Sequence, residues 1–402
     1  MGCRNHPTCR WCKKLKTVSV LGSTGSVGLQ AIDVILNNPN LKAVGLAAAF
    51  NWRQVLIQAK ILGVRKVALW DERAAHEANL NKRTMGLENL EILSGPDGLC
   101  HIASLPDADT VLHAIPGFAG IKPLISSLQK RKQVSLTGKE ALVSAGEIIK
   151  PFLVDTPKAI IPVDSEHSAI FQCLEGENKQ DIKHIILTAS GGAFRDLSQE
   201  ELEKVGPQDA LRHPTWTMGP KVTVDSATLF NKTLEVMEAH YFFDVPYDKI
   251  KVAIHRESIV HSLVTFKDGS TKAQLSKPDM RLPIAFALNY PERQKGAVPA
   301  LDVVLGTLTF REPDLERFPC LGLGYEAGKM GGTAPCVLSF ADEVVVREFM
   351  QGRVSFTKIY TILKTVLDRY QPKSPDSIEV LEQEAKWAES ETRKAIDTIM
   401  RR

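Results

Sequence analysis

The stretch Thr17-Val18-Ser19-Val20-Leu21-Gly22-Ser23-Thr24-Gly25-Ser26-Val27-Gly28 decides the fold of the N-terminal half of this chain. Its apolar, β-branched start predicts a buried strand, its glycines predict a tight turn, and the apolar spacing from Leu29 to Leu36 predicts a helix. Strand, glycine turn and helix open a Rossmann unit, in which backbone N–H groups and the helix N-terminus can hold a pyrophosphate. The spacing is Gly-x-x-Gly-x-x-Gly rather than Gly-x-Gly-x-x-Gly, which leaves a plain tight turn as the alternative.

Strand and helix patterns alternate along the following chain. Predicted strands cover residues 43–48, 66–70, 110–115, 133–137 and 159–161, and predicted helices cover residues 72–81, 122–130 and 141–150. This alternation is typical of a doubly wound parallel sheet, whose ligands bind beyond the carboxyl ends of the strands.

The ends of two strands carry candidate ligand-binding residues. The second strand ends in Ala49-Phe50-Asn51-Trp52-Arg53, without the acidic residue that commonly holds a ribose 2′-hydroxyl. Arg53 could instead meet a 2′-phosphate, which favours NADP over NAD, or it could be a solvated helix residue. At the end of a later strand, Lys139 and Glu140 could act as an acid or charge clamp, or form an ion pair at the start of a helix.

Two carboxylates follow the last of these strands, in Pro162-Val163-Asp164-Ser165-Glu166-His167. In an extended segment Asp164 and Glu166 share a face, where they repel each other unless a positive group lies between them. A hard cation such as Mg²⁺ or Mn²⁺ prefers oxygen ligands of this kind. The pattern therefore predicts a metal site, with a solvated loop as the alternative.

Two later segments have the composition of substrate-binding loops. Ala189-Ser190-Gly191-Gly192-Ala193-Phe194-Arg195 follows a predicted strand and can form a backbone nest for an anion. Arg212-His213-Pro214-Thr215-Trp216-Thr217-Met218-Gly219-Pro220 could be a lid that closes apolar side chains over a substrate, or a loop packed on the core.

Asp225-Ser226-Ala227-Thr228 predicts the cap of a helix that runs to about residue 243. On this helix Asn231, Lys232 and Glu235 share a face by their three- and four-residue spacing. The cap serine, the amide and the lysine suit a phosphate, and Glu235 would add a third carboxylate to the metal site. The polar face of an ordinary amphipathic helix is the alternative.

The last third of the chain changes pattern twice. Strands are predicted at residues 250–255, 258–266 and 271–275, with His261 as a core or site-lining residue and a hairpin turn at Asp268-Gly269. A proline-rich linker follows, and the pattern is helical from Gly331 onward.

Composition excludes several classes of protein. With 402 residues and a net charge of +3, the chain is long enough for two or three domains but too weakly charged to predict binding to nucleic acid or to an anionic membrane surface. Seven scattered cysteines and the lack of an apolar signal segment predict a cytoplasmic protein with free thiols. Cys3, His6, Cys9 and Cys12 could hold zinc, but a mobile basic leader is the favoured interpretation.

Taken together, the motifs resemble the 1-deoxy-D-xylulose 5-phosphate reductoisomerase family from Lys16 to the C-terminus. The motifs that carry the resemblance are Gly22–Gly28, Pro162–His167, Thr188–Gly192, His213–Gly219, Val224–Thr228 and Asn231–Glu235. The resemblance implies a V-shaped α/β homodimer with an N-terminal Rossmann-like doubly wound sheet, an α/β connective catalytic domain and a C-terminal helical bundle. The implied boundaries are a leader at 1–15, an NADPH-binding domain at 16–163, a catalytic domain at 164–289, a linker at 290–320 and a helical domain at 321–402.

The resemblance also implies roles for individual residues. The implied ligands of Mg²⁺ or Mn²⁺ are Asp164, Glu166 and Glu235. The residues implied at the cofactor NADPH are Thr24, Gly25, Ser26, Val27, Asn51, Gly138, Glu140 and Gly219. The residues implied at the substrate are Lys139, Ser165, Glu166, Ser190, His213, Trp216, Met218, Ser226, Asn231, Lys232 and Glu235, with Ser190, Ser226, Asn231 and Lys232 at its phosphate. The residues implied to be catalytic are Lys139, Glu166, His213 and Glu235.

The implied activity is the NADPH- and metal-dependent conversion of a phosphorylated sugar, 1-deoxy-D-xylulose 5-phosphate, to 2-C-methyl-D-erythritol 4-phosphate in isoprenoid precursor synthesis. The chain departs from the family pattern at several positions, three of which are Phe50, Gly138 and Asp342. Gly138 and Asp342 stand where the family has Asn, and Phe50 stands where a basic residue is common. A reductase acting on another phosphorylated sugar and a non-catalytic metabolite-binding protein are the competing hypotheses.

Overall fold

A computed structural model describes residues 15–216, 218–295, 298–302 and 306–401. The candidate zinc ligands of the leader lie outside these residues. In the described ranges, no helix is both long enough and apolar enough to cross a membrane.

The N-terminal half of the chain forms a seven-stranded sheet in the order β4-β3-β2-β1-β5-β6-β7, in which every neighbouring pair is parallel. Its strands are β1 (Lys16–Leu21), β2 (Leu41–Ala48), β3 (Lys66–Leu69), β4 (Glu91–Ser94), β5 (Thr110–His113), β6 (Gln133–Leu136) and β7 (Ile160–Pro162). The strand order reverses at β1, so the crevice beyond the ends of β1 and β5 is the expected place for a ligand.

Helices cover both faces of this sheet. They are α1 (Ser26–Leu36), α2 (Trp52–Leu62), α3 (Glu72–Asn81), α4 (Gly95–Ala103), α5 (Ile121–Gln129) and α6 (Lys139–Asp155). Val18 and Val20 of β1 pack in one core with Ile32 of α1, whereas Leu21 packs in a second core with Ile102 of α4. The doubly wound prediction is therefore correct, although β4 and α4 were not predicted.

The second half of the chain begins with helices around a smaller sheet. These elements are α7 (Ser165–Cys173), β8 (Ile182–Ala189), α8 (Gln199–Leu202), α9 (Pro207–Ala210), α10 (Pro220–Ala227), α11 (Phe230–Phe243), β9 (Ile250–Ile254), β10 (Val260–Phe266) and β11 (Thr271–Leu275). The strands are ordered β11-β10-β8-β9, with β8 and β9 parallel and the other pairs antiparallel. The predicted hairpin between β10 and β11 is confirmed.

The structure corrects two predictions of local conformation. Asp164 does not lie in an extended segment: it is the N-cap of α7, and Glu166 is in the first turn of that helix. Ser226 does not cap a long helix either, because α10 ends at Ala227 and Leu229 adopts a left-handed conformation with φ of 60° before α11 starts. Ser226 therefore lies in the last turn of a short helix.

The chain ends in a group of helices. They are α12 (Arg281–Asn289), which packs on α1, and α13 (Cys320–Met330), α14 (Ala334–Met350), α15 (Lys358–Asp368) and α16 (Ile378–Met400). Buried apolar residues such as Val345 of α14 and Leu363 of α15 share one continuous core with Phe230 of α11. The C-terminal helices thus support the helices that carry the candidate site.

Candidate active site

One cavity of about 640 Å³ is lined by residues that follow β6, β7 and β8. Of the predicted site residues, those that line it are Ser26, Val27, Lys139, Asp164, Ser165, Glu166, Ser190, His213, Trp216, Met218, Gly219, Ser226, Asn231, Lys232 and Glu235. The predicted residues outside its lining are Thr24, Gly25, Asn51, Gly138 and Glu140. Groups from separate parts of the sequence therefore face one space.

Three carboxylates form the centre of the cavity wall. Oxygen atoms of Asp164, Glu166 and Glu235 all lie within 4.8 Å of one another. The N-terminus of α7 supplies the first two side chains, and α11 supplies the third from its second turn. Burial and the neighbouring Glu166 raise the pKa of Glu235, as expected for negative charges crowded together away from water.

Two lysines lie against these carboxylates. Lys139 Nζ is 2.6 Å from Asp164 Oδ2 and 3.0 Å from Glu235 Oε1. Lys232 Nζ is 2.8 Å from Glu166 Oε1 and also contacts Glu235. Burial opposes the charge of Lys139, but the carboxylates outweigh it and hold its pKa well above the usual range.

The donor set fits a hard divalent cation. It consists of carboxylate oxygens, which Mg²⁺ and Mn²⁺ prefer, and it carries three negative charges against the two positive charges of the lysines. A cation bound by Asp164, Glu166 and Glu235 would compete with both ammonium groups for the same oxygens.

A buried pair lies behind the carboxylates, and sequence reasoning did not find it. His167 Nδ1 is 3.2 Å from Glu238 Oε2, and His167 Nε2 is 3.0 Å from the backbone oxygen of Glu235. Burial opposes protonation of the ring, but Glu238 and Asp164 outweigh it and raise the pKa of His167 to about 9. Through its Nε2–H, which lies at hydrogen-bond distance from the Glu235 carbonyl, the ring supports the backbone of α11 where Glu235 projects. The only sequence signal was the spacing of Glu238 one turn after Glu235.

A second polar group contains two serines and a histidine. His213 Nε2 lies 3.0 Å from Ser190 Oγ and 3.2 Å from Ser226 Oγ. His213 Nδ1 accepts the backbone N–H groups of Thr215 at 3.1 Å and Trp216 at 2.8 Å. Because Nδ1 is an acceptor, the proton of the neutral ring is on Nε2, which can donate to either serine oxygen. Burial lowers the pKa of His213 to about 4, consistent with a neutral ring.

Glycines bring the backbone close to these serines. Gly192 has φ of 71°, and a Cβ there would lie 2.3 Å from the backbone oxygen of Ser226. The turn after β8 and the last turn of α10 can approach each other this closely only because Gly192 has no side chain. Ser190 and Ser226 thereby point into the cavity together with His213, as an anion-binding group requires.

The predicted lid forms one wall of the cavity. Trp216 and Met218 line it, and the Trp216 ring centroid lies 6.2 Å from that of His261. His261, which could have been a core residue, also lines the cavity. Gly219 is the N-cap of α10, so the lid passes directly into the helix that carries Ser226.

The glycine turn after β1 borders the same cavity through Ser26 and Val27. A Cβ on Gly22 would lie 2.2 Å from the backbone oxygen of Ala114, and one on Gly28 would lie 2.1 Å from the backbone oxygen of Gly22. These glycines therefore bring β1, β5 and α1 close together at the strand-order reversal, which is the geometry of a pyrophosphate-binding turn.

Three predicted cofactor residues have other contacts in the structure. The Asn51 side chain accepts the backbone N–H of Gln54 and caps α2. Gly138 is the N-cap of α6, and a Cβ there would lie 2.4 Å from the backbone oxygen of Ile115. Glu140 is 6 % exposed, and its charge acts on Lys221.

Several cavity residues were missed by sequence reasoning. Met280 and Arg281 line the cavity beside the glycine turn, and Arg281 Nη1 is 3.3 Å from Asp33 Oδ2 of α1. Sequence reasoning misses this segment because Pro278 and Pro283 suggest a break where α12 begins. The acid and base at Asp279 and Arg281, which form an ion pair, are the signal that the sequence offers.

Three family models match the chain in order. They describe the 1-deoxy-D-xylulose 5-phosphate reductoisomerase at residues 18–146, the C-terminal domain of that enzyme at residues 160–243, and a further DXP reductoisomerase C-terminal domain at residues 275–391. Together the matches cover most of the described chain.

Relatives and solved structures agree with these matches. The chain is 47 % identical to a 1-deoxy-D-xylulose 5-phosphate reductoisomerase of Thermodesulfovibrio yellowstonii, over 95 % of this chain and 100 % of that one. It is 46 % identical to one of Pelotomaculum thermopropionicum, over 93 % of this chain and 97 % of that one. The Zymomonas mobilis enzyme in complex with NADPH superposes with a TM-score of 0.88 at 36 % identity, over 95 % of this chain and 99 % of that one. A reductoisomerase in complex with NADPH, fosmidomycin and magnesium superposes with a TM-score of 0.91 at 35 % identity, over 96 % of this chain and 99 % of that one. This chain belongs to the 1-deoxy-D-xylulose 5-phosphate reductoisomerase family.

Proposed function

We propose that this protein rearranges and reduces 1-deoxy-D-xylulose 5-phosphate to 2-C-methyl-D-erythritol 4-phosphate, with NADPH as reductant and Mg²⁺ or Mn²⁺ as the metal. The observation that carries the proposal is that one cavity is lined by the three clustered carboxylates, the serine–histidine group and the glycine turn. These three parts match a metal, a phosphate and a dinucleotide, which are the three groups that the reaction needs.

Asp164, Glu166 and Glu235 would hold the cation. When bound, the cation polarises carbonyl and neighbouring hydroxyl oxygens of the substrate as a Lewis acid. Lys139 and Lys232 contact the same carboxylates, and Lys139 also donates to Asn231 Oδ1 at 2.9 Å. Both lysines line the cavity, where their ammonium groups would also face an anionic substrate.

The substrate phosphate would bind where Ser190, Ser226 and the Nε2–H of His213 converge, with Asn231 and Lys232 beside them. Binding the phosphate places the reacting carbons without acting on them, which supplies positioning energy remote from the chemistry. Lys139 and Ser165 are adjacent to the carboxylates and would contact the substrate's oxygen atoms.

NADPH would lie along the turn formed by Thr24, Gly25, Ser26 and Val27, with Asn51, Gly138, Glu140 and Gly219 as further candidates. The side chains of Trp216 and Met218 would cover the reacting carbons and exclude water while a hydride is transferred. The neutral His213 ring accepts hydrogen bonds from the lid backbone and also faces the two serines of the proposed phosphate pocket. Phosphate binding and lid closure would therefore be coupled.

The domain boundaries at residues 163, 289 and 320 are part of the proposal, as are the homodimer and the cytoplasmic location. The edge strand β11 supports dimer formation, because its outer backbone groups can pair with another chain. Cys100, Cys173, Cys320 and Cys336 are free thiols, which supports a reducing compartment.

The test is NADPH oxidation measured by absorbance with 1-deoxy-D-xylulose 5-phosphate and either Mg²⁺ or Mn²⁺. We expect oxidation that needs the metal and that Glu235→Gln abolishes. Glu384→Gln is the matched control, because Glu384 is a buried, lysine-paired carboxylate of α16, far along the chain from the site. This control should retain activity.

NADH serves as the second electron donor, because Phe50 stands where a basic residue is common. A slower rate with NADH would agree with the proposed preference for NADPH. Absence of turnover with either donor, in protein that still binds inorganic phosphate and Mn²⁺, would contradict the proposed reaction.

A further inference from the structure

A lysine outside the cavity lies between two buried carboxylates from different parts of the chain. Lys221 Nζ is 2.5 Å from Asp225 Oδ2, one turn along α10, and 2.6 Å from Asp342 Oδ2 of α14. The side chains of Asp225 and Asp342 are 1 % and 0 % exposed. One ammonium group thus joins the helix that follows the lid to a helix of the C-terminal group.

The surroundings make both carboxylates depend on this lysine. Burial and the charge of Asp342 raise the pKa of Asp225, and the charge of Glu140 acts in the same direction. Asp225 Oδ1 is a buried atom without a hydrogen-bond partner among the described residues. Removing the ammonium group would leave these carboxylates without the cation that compensates them, which is costly in a dry environment.

The two contacts of this lysine differ. Lys221 donates a hydrogen bond to Asp225, whereas both side-chain oxygens of Asp342 are buried without a hydrogen-bond partner among the described residues, so the contact with α14 is an ion pair alone. A buried acid without hydrogen bonds depends on the nearby cation for its stabilisation.

The helix held in this way carries part of the cavity wall. Val222 and Ser226 of α10 line the cavity, and Ser226 Oγ is 3.2 Å from His213 Nε2. The backbone oxygen of Ser226 leaves no room for a side chain on Gly192. A small shift of α10 would therefore change the distance between Ser226 and Ser190, on which a phosphate pocket depends.

We propose that Lys221 is a positioning residue for the phosphate pocket: by holding Asp225 and Asp342 together it fixes α10 so that Ser226 faces the substrate. Lys221 does not line the cavity and acts only through the placement of its helix. The inference rests on the proposed function, because it assumes that the group around Ser190 and Ser226 binds phosphate.

The test compares Lys221→Gln with the native protein by three measurements: the Kd of inorganic phosphate by calorimetry, the KM and kcat for the sugar phosphate, and the Kd of NADPH by fluorescence. We expect the phosphate Kd and the KM to rise about tenfold while kcat falls less than about threefold and the NADPH Kd stays within about twofold. Lys221→Arg, which keeps a cation for both carboxylates, should restore the phosphate Kd to within about twofold. An unchanged phosphate Kd in Lys221→Gln would overturn the inference.

A double variant separates positioning from stability. Lys221→Gln leaves two carboxylates stranded and can lower the Tm or prevent folding, whereas Lys221→Gln with Asp342→Asn removes one stranded charge. We expect the double variant to recover Tm but to keep the raised phosphate Kd. Recovery of both quantities would show that Lys221 contributes stability alone and would overturn the inference.

Two further variants complete the design. Lys373→Gln breaks a comparable pair, since Lys373 Nζ is 2.7 Å from the buried carboxylate of Glu384. Lys373→Gln should lower the Tm without changing the phosphate Kd. If its phosphate Kd rises as much as that of Lys221→Gln, the effect follows from lost stability in general, and the inference is overturned. Ser226→Ala tests the pocket itself, and an unchanged phosphate Kd in this variant would contradict the proposed pocket. If the phosphate Kd rises in Ser226→Ala but not in Lys221→Gln, only the role of Lys221 is rejected.

Discussion

Nδ1 of His213 accepts the backbone N–H of Trp216 at 2.8 Å, so the lid backbone is tied to the same ring that faces the two serines. This bond needs a neutral ring. Burial lowers the pKa of His213 to about 4 in the folded protein, whereas an unfolded histidine titrates near its ordinary value of 6.5. Between these pH values the unfolded chain binds a proton that the folded chain does not, so the free energy of unfolding falls as the pH falls.

We therefore expect His213→Asn to flatten the pH dependence of stability between pH 7 and pH 4.5. Asparagine keeps an oxygen that can accept the backbone N–H groups but does not titrate in this range. Urea unfolding at several pH values measures the difference, expected to be about 1 kcal/mol at the acid end because solvent screens this partly exposed ring. His76→Asn, at an exposed histidine, is the control. If the free energy of unfolding depends on pH in the same way in the native protein and in His213→Asn, the lowered pKa of His213 is contradicted.

The Lys232 ammonium contacts Glu166 and Glu235, two of the three carboxylates that would hold the cation. Replacing Lys232 by Met removes a competitor for those oxygens, so the affinity for Mn²⁺ should rise several-fold while the KM for the sugar phosphate rises. Calorimetry with Mn²⁺ and steady-state kinetics provide the two readings. Lys364→Met, which removes two partly exposed ion pairs of α15, should change neither quantity. Weaker Mn²⁺ binding in Lys232→Met would mean that the lysine helps to organise the site rather than competing with the metal.

The close packing of the backbone gives a reason for glycine at position 138. A Cβ at this position would lie 2.4 Å from the backbone oxygen of Ile115, and backbone atoms cannot move aside as easily as a flexible side chain. Gly138→Ala should therefore destabilise the protein by about 1–3 kcal/mol. Gly322→Ala is the matched control, because Gly322 is exposed in the first turn of α13 and has open space where a Cβ would stand. This control should raise stability by about 0.5 kcal/mol, because alanine loses less backbone entropy than glycine on folding.

The Rossmann half of the fold could be predicted because each of its strands is a short apolar run next to a helix of regular period. Apolar periodicity does not reveal β4, α4 or the break between α10 and α11, each for a physical reason. β4 has only four residues, Glu91–Ser94, and α4 begins at Gly95-Pro96, which has the composition of a break although proline is well accommodated in the first turn of a helix. The break between α10 and α11 depends on the left-handed conformation of Leu229, which periodicity does not indicate.

The candidate site was predictable in its residue types but not in its contacts. Asp164, Glu166 and Glu235 could be grouped as acids, but their convergence within 4.8 Å depends on the tertiary fold, which brings the start of α7 beside Glu235 of α11. The expected phosphate role of Lys232 did not reveal that its ammonium group contacts two of those acids. His167 and Glu238 form a buried pair whose contact the sequence does not reveal, because the spacing of Glu238 after Glu235 says nothing of His167, which meets Glu238 only in the folded chain.

Glu343 of α14 offers a second pH prediction with the opposite sign. Burial raises the pKa of Glu343 to about 7, with Glu140 and Asp225 adding to the rise and Lys221 and Arg347 opposing it. The folded protein thus keeps a proton that the unfolded chain loses near pH 4.5, so the contribution of Glu343 to stability is lost as the pH rises through 7. Glu343→Gln should match the native protein near pH 5 and exceed its stability by about 2–3 kcal/mol near pH 8. Urea unfolding at the two pH values measures this, with the exposed Glu316→Gln as control. An equal loss of stability at both pH values would show instead that the carboxylate is ionised and held by Lys221.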